Sequence, residues 1–508
     1  MIVRPVGARA LLLELDDLEH VAAWHGAVAG LVADGLLVAP VDVVPGARTL
    51  LLDGVDPATV ERVLAGLGAP APVTDRPDAA PVEVPVVYDG ADLGEVARLW
   101  GVTEREVVAR HTGTEFRVAF CGFAPGFPYL VGLDGQVPRH PTPRPSVPAG
   151  SVGLAGRYCG IYPSSSPGGW QLLGRTAVPL FDVSRDPSAL LPPGSRVRFV
   201  ESTGPARRAP AREPAPPELP GGRSLTVLRA GALTTVQDAG RPGYAHLGVP
   251  RAGALDAPAA RLANRLVGNP EDAAVLETTV DGVRLRAATA VTVAVTGAQA
   301  PVSVDGRAAP WGVAVALLPG AVLDVGPALT GVRSYVAVAG GVAVPPVLGS
   351  RSRDTLSGLG PSPLSVGDVL PVGPPTGPVP AVDFTVPAPT PRPLALRLLP
   401  GPRHDWFGPA GLAVLSSGTY EVSPLSNRVG VRLTGPPVPR LREGELESEG
   451  IALGAVQVPP DGQPVVLLAD HPTTGGYPVV GLVDPRDLAG LAQARPGDAV
   501  RFVPDRSH

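Results

Sequence analysis

The chain has 508 residues, a formal charge of −5 and 42 basic residues, every one of them arginine. Without lysine it cannot itself supply a Walker A loop, a Schiff-base lysine or a biotinylated lysine. The acidic balance argues against nucleic acid held by general electrostatics, and the length exceeds what one hydrophobic core fills, so several domains are expected.

Residues 1–80 alternate strand-like runs (10–15, 49–52) with helical runs (18–34, 57–67), which predicts a small α+β domain. The N-terminal apolar stretch is too short for a signal peptide, and proline, glycine or charge interrupts every later apolar run. A cytoplasmic protein that does not span a membrane is expected. Residues 93–112, LGEVARLWGVTEREVVARHT, have the outline of a DNA-binding helix-turn-helix, but Glu104 and Glu106 would open its second helix against phosphates. The alternative is two short packing helices that lead into a strand at 116–120.

Residues 121–176 concentrate glycine, proline and polar side chains around little hydrophobic filler, as a rigid loop-built site requires. Cys121 and Cys159 are too few for a disulfide framework and are expected to be reduced thiols; with His140 they lack any metal-ligand spacing, so no metal site is expected. Ser151 lies in AGSVG, which is not a serine-hydrolase elbow. Beyond residue 222, short valine-rich runs at 290–296, 313–318, 332–338 and 465–468, bounded by glycine and proline, predict a mostly β remainder.

Proline-rich linkers are expected at 203–222 and 373–393. The division is then an α+β domain (1–80), a barrel (81–202), a second barrel (223–372) and a third (394–508). A repeat supports it: the glycine pairs Gly168-Gly169, Gly340-Gly341 and Gly475-Gly476 are each followed by a similar closing strand, GSRVRF, GDVL and GDAVRF.

The blocks GFAPGFPYL (122–130), TPRPSVPAGSVGLAG (142–156) and GIYPSSSPGGWQLLGRT (160–176) resemble the allophanate hydrolase subunit 1 family, which includes the B subunit of 5-oxoprolinase, also described as a kinase inhibitor. TTVQDAGRPGYAHLGVPRAGALD (234–256), RLANRLVGNPEDAAVLE (261–277) and DHPTTGGYPVVG (470–481) resemble the companion subunit 2 family, which includes the 5-oxoprolinase C subunit. The chain looks like a fusion of the two. The resemblance implies cyclophilin-like β-barrels in a mainly β protein, ATP and Mg2+, a separate 5-oxoprolinase A subunit of the lactam-utilisation type, and opening of 5-oxoproline to glutamate through phosphorylation of the lactam carbonyl. Two other activities stay open: a carboxyltransferase component acting on urea or a similar amide, with biotin carried on another chain, and a regulatory kinase-inhibitor-type binding protein. A homo-oligomer is also possible.

With that resemblance in view, Asp470 and His471 stand before a Pro-Thr-Thr-Gly-Gly turn, where they could hold magnesium or move a proton; Asp470 could equally cap backbone amides, leaving His471 a bystander. Asp238 joins them as a catalytic candidate. Gln237 and Arg241 could grip an amide and a carboxylate, or Asp238 and Arg241 could form a structural ion pair. Thr473, Thr474 and Tyr477 complete the candidate binding set of the second half. Arg144, Ser151, Tyr162, Trp170 and Arg175 form that of the first, with Trp170 either stacking on a ligand or plugging the barrel mouth.

Overall fold

The computed structural model describes residues 1–66, 68, 70, 80–204, 222–380, 384–386, 393–444 and 446–504, so the expected linker at 203–222 lies largely, and the one at 373–393 partly, outside the described residues. The first unit is a four-stranded sheet in the order Ile2–Pro5, Ala10–Glu14, Thr49–Asp53, Asp42–Pro45. Its helices, Leu18–Ala33 and Pro57–Ala65, each start at an aspartate, Asp17 or Asp56, whose carboxylate accepts a backbone N–H of the first turn. Both faces of the sheet are covered, which is why ALLLE has no polar alternation. Leu11, Leu13, Leu50 and Leu52 pack with Trp24 and Val28, whereas Ala10, Leu12 and Leu51 pack on Ile451, Ala455 and Leu482 from the far end of the chain.

The second unit is a seven-stranded sheet that runs from Gln171–Arg175 at one edge to Val82–Val86 at the other. Val87 and Arg175 exchange two backbone hydrogen bonds of 2.9 Å, which joins the edges into a barrel around Val84, Phe116, Leu130 and Phe199. Residues 93–112 form the packing helices Leu93–Trp100 and Glu104–Gly113. Gly101 at φ 65 turns between them, and a capping box joins Thr103 to Glu106. The second helix buries His111 against Phe199, with ring centroids 4.3 Å apart, so its inner face is spent on the barrel.

The second half of the chain contains two further units. Residues 394–504 close a seven-stranded barrel. Its last strand, Ala499–Pro504, pairs parallel with its first, Leu394–Pro400, as Arg196–Glu201 pairs with Val82–Val86; Phe502 and Phe199 are buried at matching places. The expected equivalence of all three closing strands does not extend to the middle unit. There Val369–Pro371 pairs antiparallel with Ser224–Arg229, and the unit is a six-stranded and a five-stranded sheet packed around one core. What the three units share is the turn just before the closing strand, where Gly194, Gly367 and Gly497 all have positive φ, rather than the strand's pairing partner.

The halves meet across a charged seam. Phe123 N donates to Thr474 Oγ1 (3.0 Å) and Gly126 N to Leu247 O (2.8 Å), while Arg251 reaches both Asp42 and Asp53 at 2.7 Å. A Cβ on Gly122 would stand 2.2 Å from Thr474 Oγ1, so the GFAPGF turn needs glycine there to close on the second half.

Candidate functional site

Four of the five candidates of the first half converge. Arg144, Ser151, Tyr162 and Arg175 line one cleft of about 540 Å3 at the mouth of the first barrel, with Asp89, Gly150, Gly174 and Thr176. The strand pair explains the meeting: Ser151–Ala155 lies antiparallel to Gln171–Arg175, with Ser151 opposite Arg175. Gly174 and Gly90 permit close approach of backbones, since a Cβ on Gly174 would sit 2.3 Å from Val87 O and one on Gly90 2.2 Å from Leu172 O.

The cleft is arranged by a carboxylate that the sequence did not single out. Asp92 precedes the Leu93–Trp100 helix but makes no side-chain cap; it accepts from Leu172 N and from Arg144 Nη2, both at 2.7 Å, and His140 Nε2 lies 3.2 Å away. Burial alone would raise the Asp92 carboxyl, but the Leu172 N–H and the Arg144 guanidinium outweigh it and hold it below the usual carboxylate range. Arg144 also donates to Trp170 O at 3.3 Å, so its guanidinium is fixed before any ligand arrives. Arg175 is freer: it pairs with Asp89 at 2.8 Å and stays 60% exposed. Burial pushes the Tyr162 hydroxyl up to about 12, so it serves as a neutral donor. Trp170 does not line the cleft. It is buried behind it, edge-on to Phe127, Tyr129 and Tyr162, as a plug for the barrel mouth.

The candidates of the second half are divided among four places. Asp238 is saturated: Ser350 Oγ, Ser352 Oγ and Arg351 N each donate to it at 2.6 Å, and Gly240 N at 2.8 Å. It edges a polar cavity of about 250 Å3 that includes Asn269, Asp272 and Arg351. Gln237 and Arg241 are buried beside it. Gln237 Nε2 donates to Thr235 Oγ1 and Arg353 O, and Arg241, 1% exposed, donates through Nη2 to Ser352 O.

Asp470 is fully buried. Arg428 grips both its oxygens at 2.9 Å, Thr355 donates from N (2.8 Å) and Oγ1 (2.6 Å), and Arg428 also reaches Glu277 and the Gly253 carbonyl. This network ties the middle unit to the last barrel; Glu277 and Arg428 went unmarked in the sequence because nothing local distinguishes them. Asp354, beside Asp470 and Arg241, has its carboxyl raised to about 6 by burial and by the Asp470 charge.

His471 faces the other way, into a small cavity of about 30 Å3 at the seam with Asp42, Asp53, Arg251 and Thr473. Burial lowers its imidazole, and its Nδ1 contacts Pro472 O at 2.8 Å. Thr474 is spent on Phe123 N, and Tyr477 stands at the surface, 37% exposed, with its carbonyl accepting from Gln457 Nε2 at 3.3 Å. Among the described residues no group of three His, Cys, Asp or Glu side chains is placed to hold a metal ion.

The chain matches the carboxyltransferase domain family models for subdomains A and B over residues 247–504 and for subdomains C and D over residues 1–191. It is 39% identical over 286 residues to the 5-oxoprolinase C subunit of Escherichia coli, covering 55% of this chain and 90% of that one. It is 49% identical over 124 residues to the 5-oxoprolinase B subunit of Bacillus subtilis, covering 23% and 52%. Urea amidolyase of Lachancea kluyveri is 34% identical over 55% of this chain, which spans 17% of that protein. The crystal structure of TTHA0988 superposes with a TM-score of 0.86 at 41% identity, covering 97% of this chain and 99% of that chain. The chain therefore belongs to the carboxyltransferase domain family, as a fusion in which the half similar to the 5-oxoprolinase B subunit comes first and the half similar to the C subunit second.

Proposed function

We propose that this chain is the fused B–C component of an ATP-dependent 5-oxoprolinase, which opens 5-oxoproline to L-glutamate together with a separate A subunit. The reading is carried by the collinear similarity of its two halves to two subunits of that one enzyme. The cleft of the first barrel is the proposed substrate site. A lactam with one carboxylate, one carbonyl and one N–H fits a wall that offers two guanidinium groups, a hydroxyl from Ser151 and another from Tyr162. Arg144, held by Asp92, takes the carboxylate; Arg175, exposed at the rim, stands where a phosphoryl group would approach.

A lactam carbonyl is a poor electrophile. Phosphorylation of its oxygen by ATP, with release of ADP, forms a C–O–P linkage. One water adds to that carbon and the ring C–N bond opens as the nitrogen takes a proton, leaving an acyl phosphate; a second water attacks the same carbon, so that phosphate leaves with the former carbonyl oxygen. Charge builds on the transferring phosphoryl oxygens, and in a chain without lysine arginine must neutralise it. Magnesium is assigned no ligands in this chain, because among the described residues no cluster of acidic side chains is placed to hold it. The similarity to urea amidolyase favours a second reading, a carboxyltransferase component acting on an amide. On that reading biotin rides on another chain, because this one has no lysine to carry it.

The site assignment is tested by calorimetric titration of 5-oxoproline into the full chain. Loss of one charge-assisted contact in Arg144→Gln should weaken binding roughly tenfold or more, and Asp92→Asn, which frees Arg144, should weaken it less. Unchanged affinity in Arg144→Gln would remove the cleft from the proposal.

A further inference from the structure

A cavity larger than the first-barrel cleft lies elsewhere, in the second half. It measures about 770 Å3 and opens between the middle unit and the last barrel. Val280, Val332 and Leu356 form one wall; Val422, Val429 and Leu491 form the other. Its size lies within the range of cavities that enclose drug-sized molecules, about 300–1,000 Å3. Three arginines line it, Arg333, Arg428 and Arg495, and among the described residues no carboxylate does.

The three cations are not equivalent. Arg428 is consumed by Asp470, Glu277 and Gly253, and Arg495 donates to the carbonyls of Gly331 (2.7 Å) and Ala328 (2.5 Å). Arg333 is 8% exposed and donates through Nη1 to Ala492 O, but its Nε is buried without a hydrogen-bond partner, Glu277 Oε1 being 3.6 Å away. A buried guanidinium N–H left without a hydrogen-bond partner costs free energy. On the rim, Asn427 spends its Oδ1 on Val429 N (2.8 Å) and Gly430 N (3.3 Å), which leaves its amide nitrogen to donate.

The rim also carries strain. Val280, 43% exposed, sits at φ 58, a conformation that a β-branched side chain rarely adopts. It is held there by two backbone hydrogen bonds, Val280 N to Val332 O (2.8 Å) and Ala328 N to Val280 O (2.7 Å). The fold thus fixes an apolar side chain at the mouth of a cavity whose charged lining is cationic.

We infer that this interdomain cavity binds a small organic anion with an apolar body, its anionic group directed to Arg333 and its body between the two valine-rich walls. The site is separate from the cleft of the first barrel, and its occupant is more apolar than a lactam.

The probe for the test is 8-anilinonaphthalene-1-sulfonate, an apolar anion, titrated into the full chain by fluorescence beside the neutral N-phenyl-1-naphthylamine. The informative variant is Asn427→Asp, which keeps both amide-accepting contacts of this exposed side chain and places a negative charge on the rim. A like charge about 12 Å away at an effective dielectric near 20 should weaken the sulfonate about tenfold and leave the neutral probe within about twofold. Arg333→Gln should reduce the preference for the sulfonate in the same sense. Equal sulfonate affinity in wild type and Asn427→Asp, or parallel weakening of both probes, would overturn the assignment.

Discussion

Replacing Arg428 by leucine is expected to destabilise the protein by about 3–5 kcal/mol, because it leaves two buried carboxylates without their shared cation. Arg428 is 2% exposed, and its partners Asp470 and Glu277 are 0% and 1% exposed. Glu277 would keep the Tyr335 hydroxyl at 2.8 Å and Leu255 N at 3.0 Å, and Asp470 would keep Thr355. These are hydrogen bonds; the compensating charge that remains is Arg333, whose Nε lies 3.6 Å from Glu277. For domains of this size the loss corresponds to a fall in melting temperature on the order of 10 °C. A rim variant such as Arg175→Leu, which breaks only an exposed pair with Asp89, should change stability by at most about 1 kcal/mol.

The same measurement separates two roles for Asp470. If it is the anchor between the middle unit and the last barrel, Asp470→Asn lowers the melting temperature while the protein that remains folded keeps its kcat. If it acts on substrate, kcat falls at an unchanged melting temperature. Its four donors, two from Arg428 and two from Thr355, favour the first outcome.

Acidification is the second large effect. Burial holds His25 near 4, with the His246 charge adding to it, and burial holds His111 near 3; burial also lowers His246 and His471. An unfolded histidine takes up its proton near pH 6.5, so below that pH the unfolded state binds protons that the folded state refuses. Stability is therefore complete above about pH 6.5 and falls as the pH drops towards 4, with His25 and His111 each contributing a loss of about 3 kcal/mol by pH 4. Asp354 runs the other way. Its carboxyl is raised to about 6, so protonating it between pH 6 and 4 returns about 2 kcal/mol and offsets part of the loss from one histidine.

The net is a loss, and part of it falls on the seam. His25 comes from the Leu18–Ala33 helix and His246 from the turn after Arg241, with ring centroids 6.2 Å apart across the two halves. Urea midpoints at pH 7 and pH 4.5 should differ markedly in the wild type and clearly less in His25→Gln/His246→Gln. Equal pH slopes in the two proteins would exclude the histidine pair as a cause.

The limits of the sequence follow from what each element responds to. The helices around 93–112 and the strands of the barrels were legible because apolar spacing, Gly101 and the Thr103/Glu106 box act over a few residues. The first-half cleft was legible because Ser151 and Arg175 sit on strands whose glycine-rich flanks mark a site. Asp92 was not, since its partners are 52 and 80 positions away and it occupies what looks like an ordinary helix cap. The Asp470 and His471 pair is a different case. Adjacent residues in an irregular turn can point to opposite sides, and here one joins Arg428 in the core while the other faces Asp42 and Asp53 at the seam. The interdomain cavity has no local signature, because its walls come from short segments scattered over 233–356 and 422–496.

The most direct test of the functional reading is a reconstitution with 5-oxoproline labelled with 18O at the lactam carbonyl, using the full chain, a candidate A subunit, ATP and magnesium, while glutamate, ADP and phosphate are measured together. Glutamate is expected only when both proteins and ATP are present, with one ADP per glutamate and the label in the phosphate released. Glutamate without ADP, label retained wholly in glutamate, or no turnover with both proteins folded would contradict the reading.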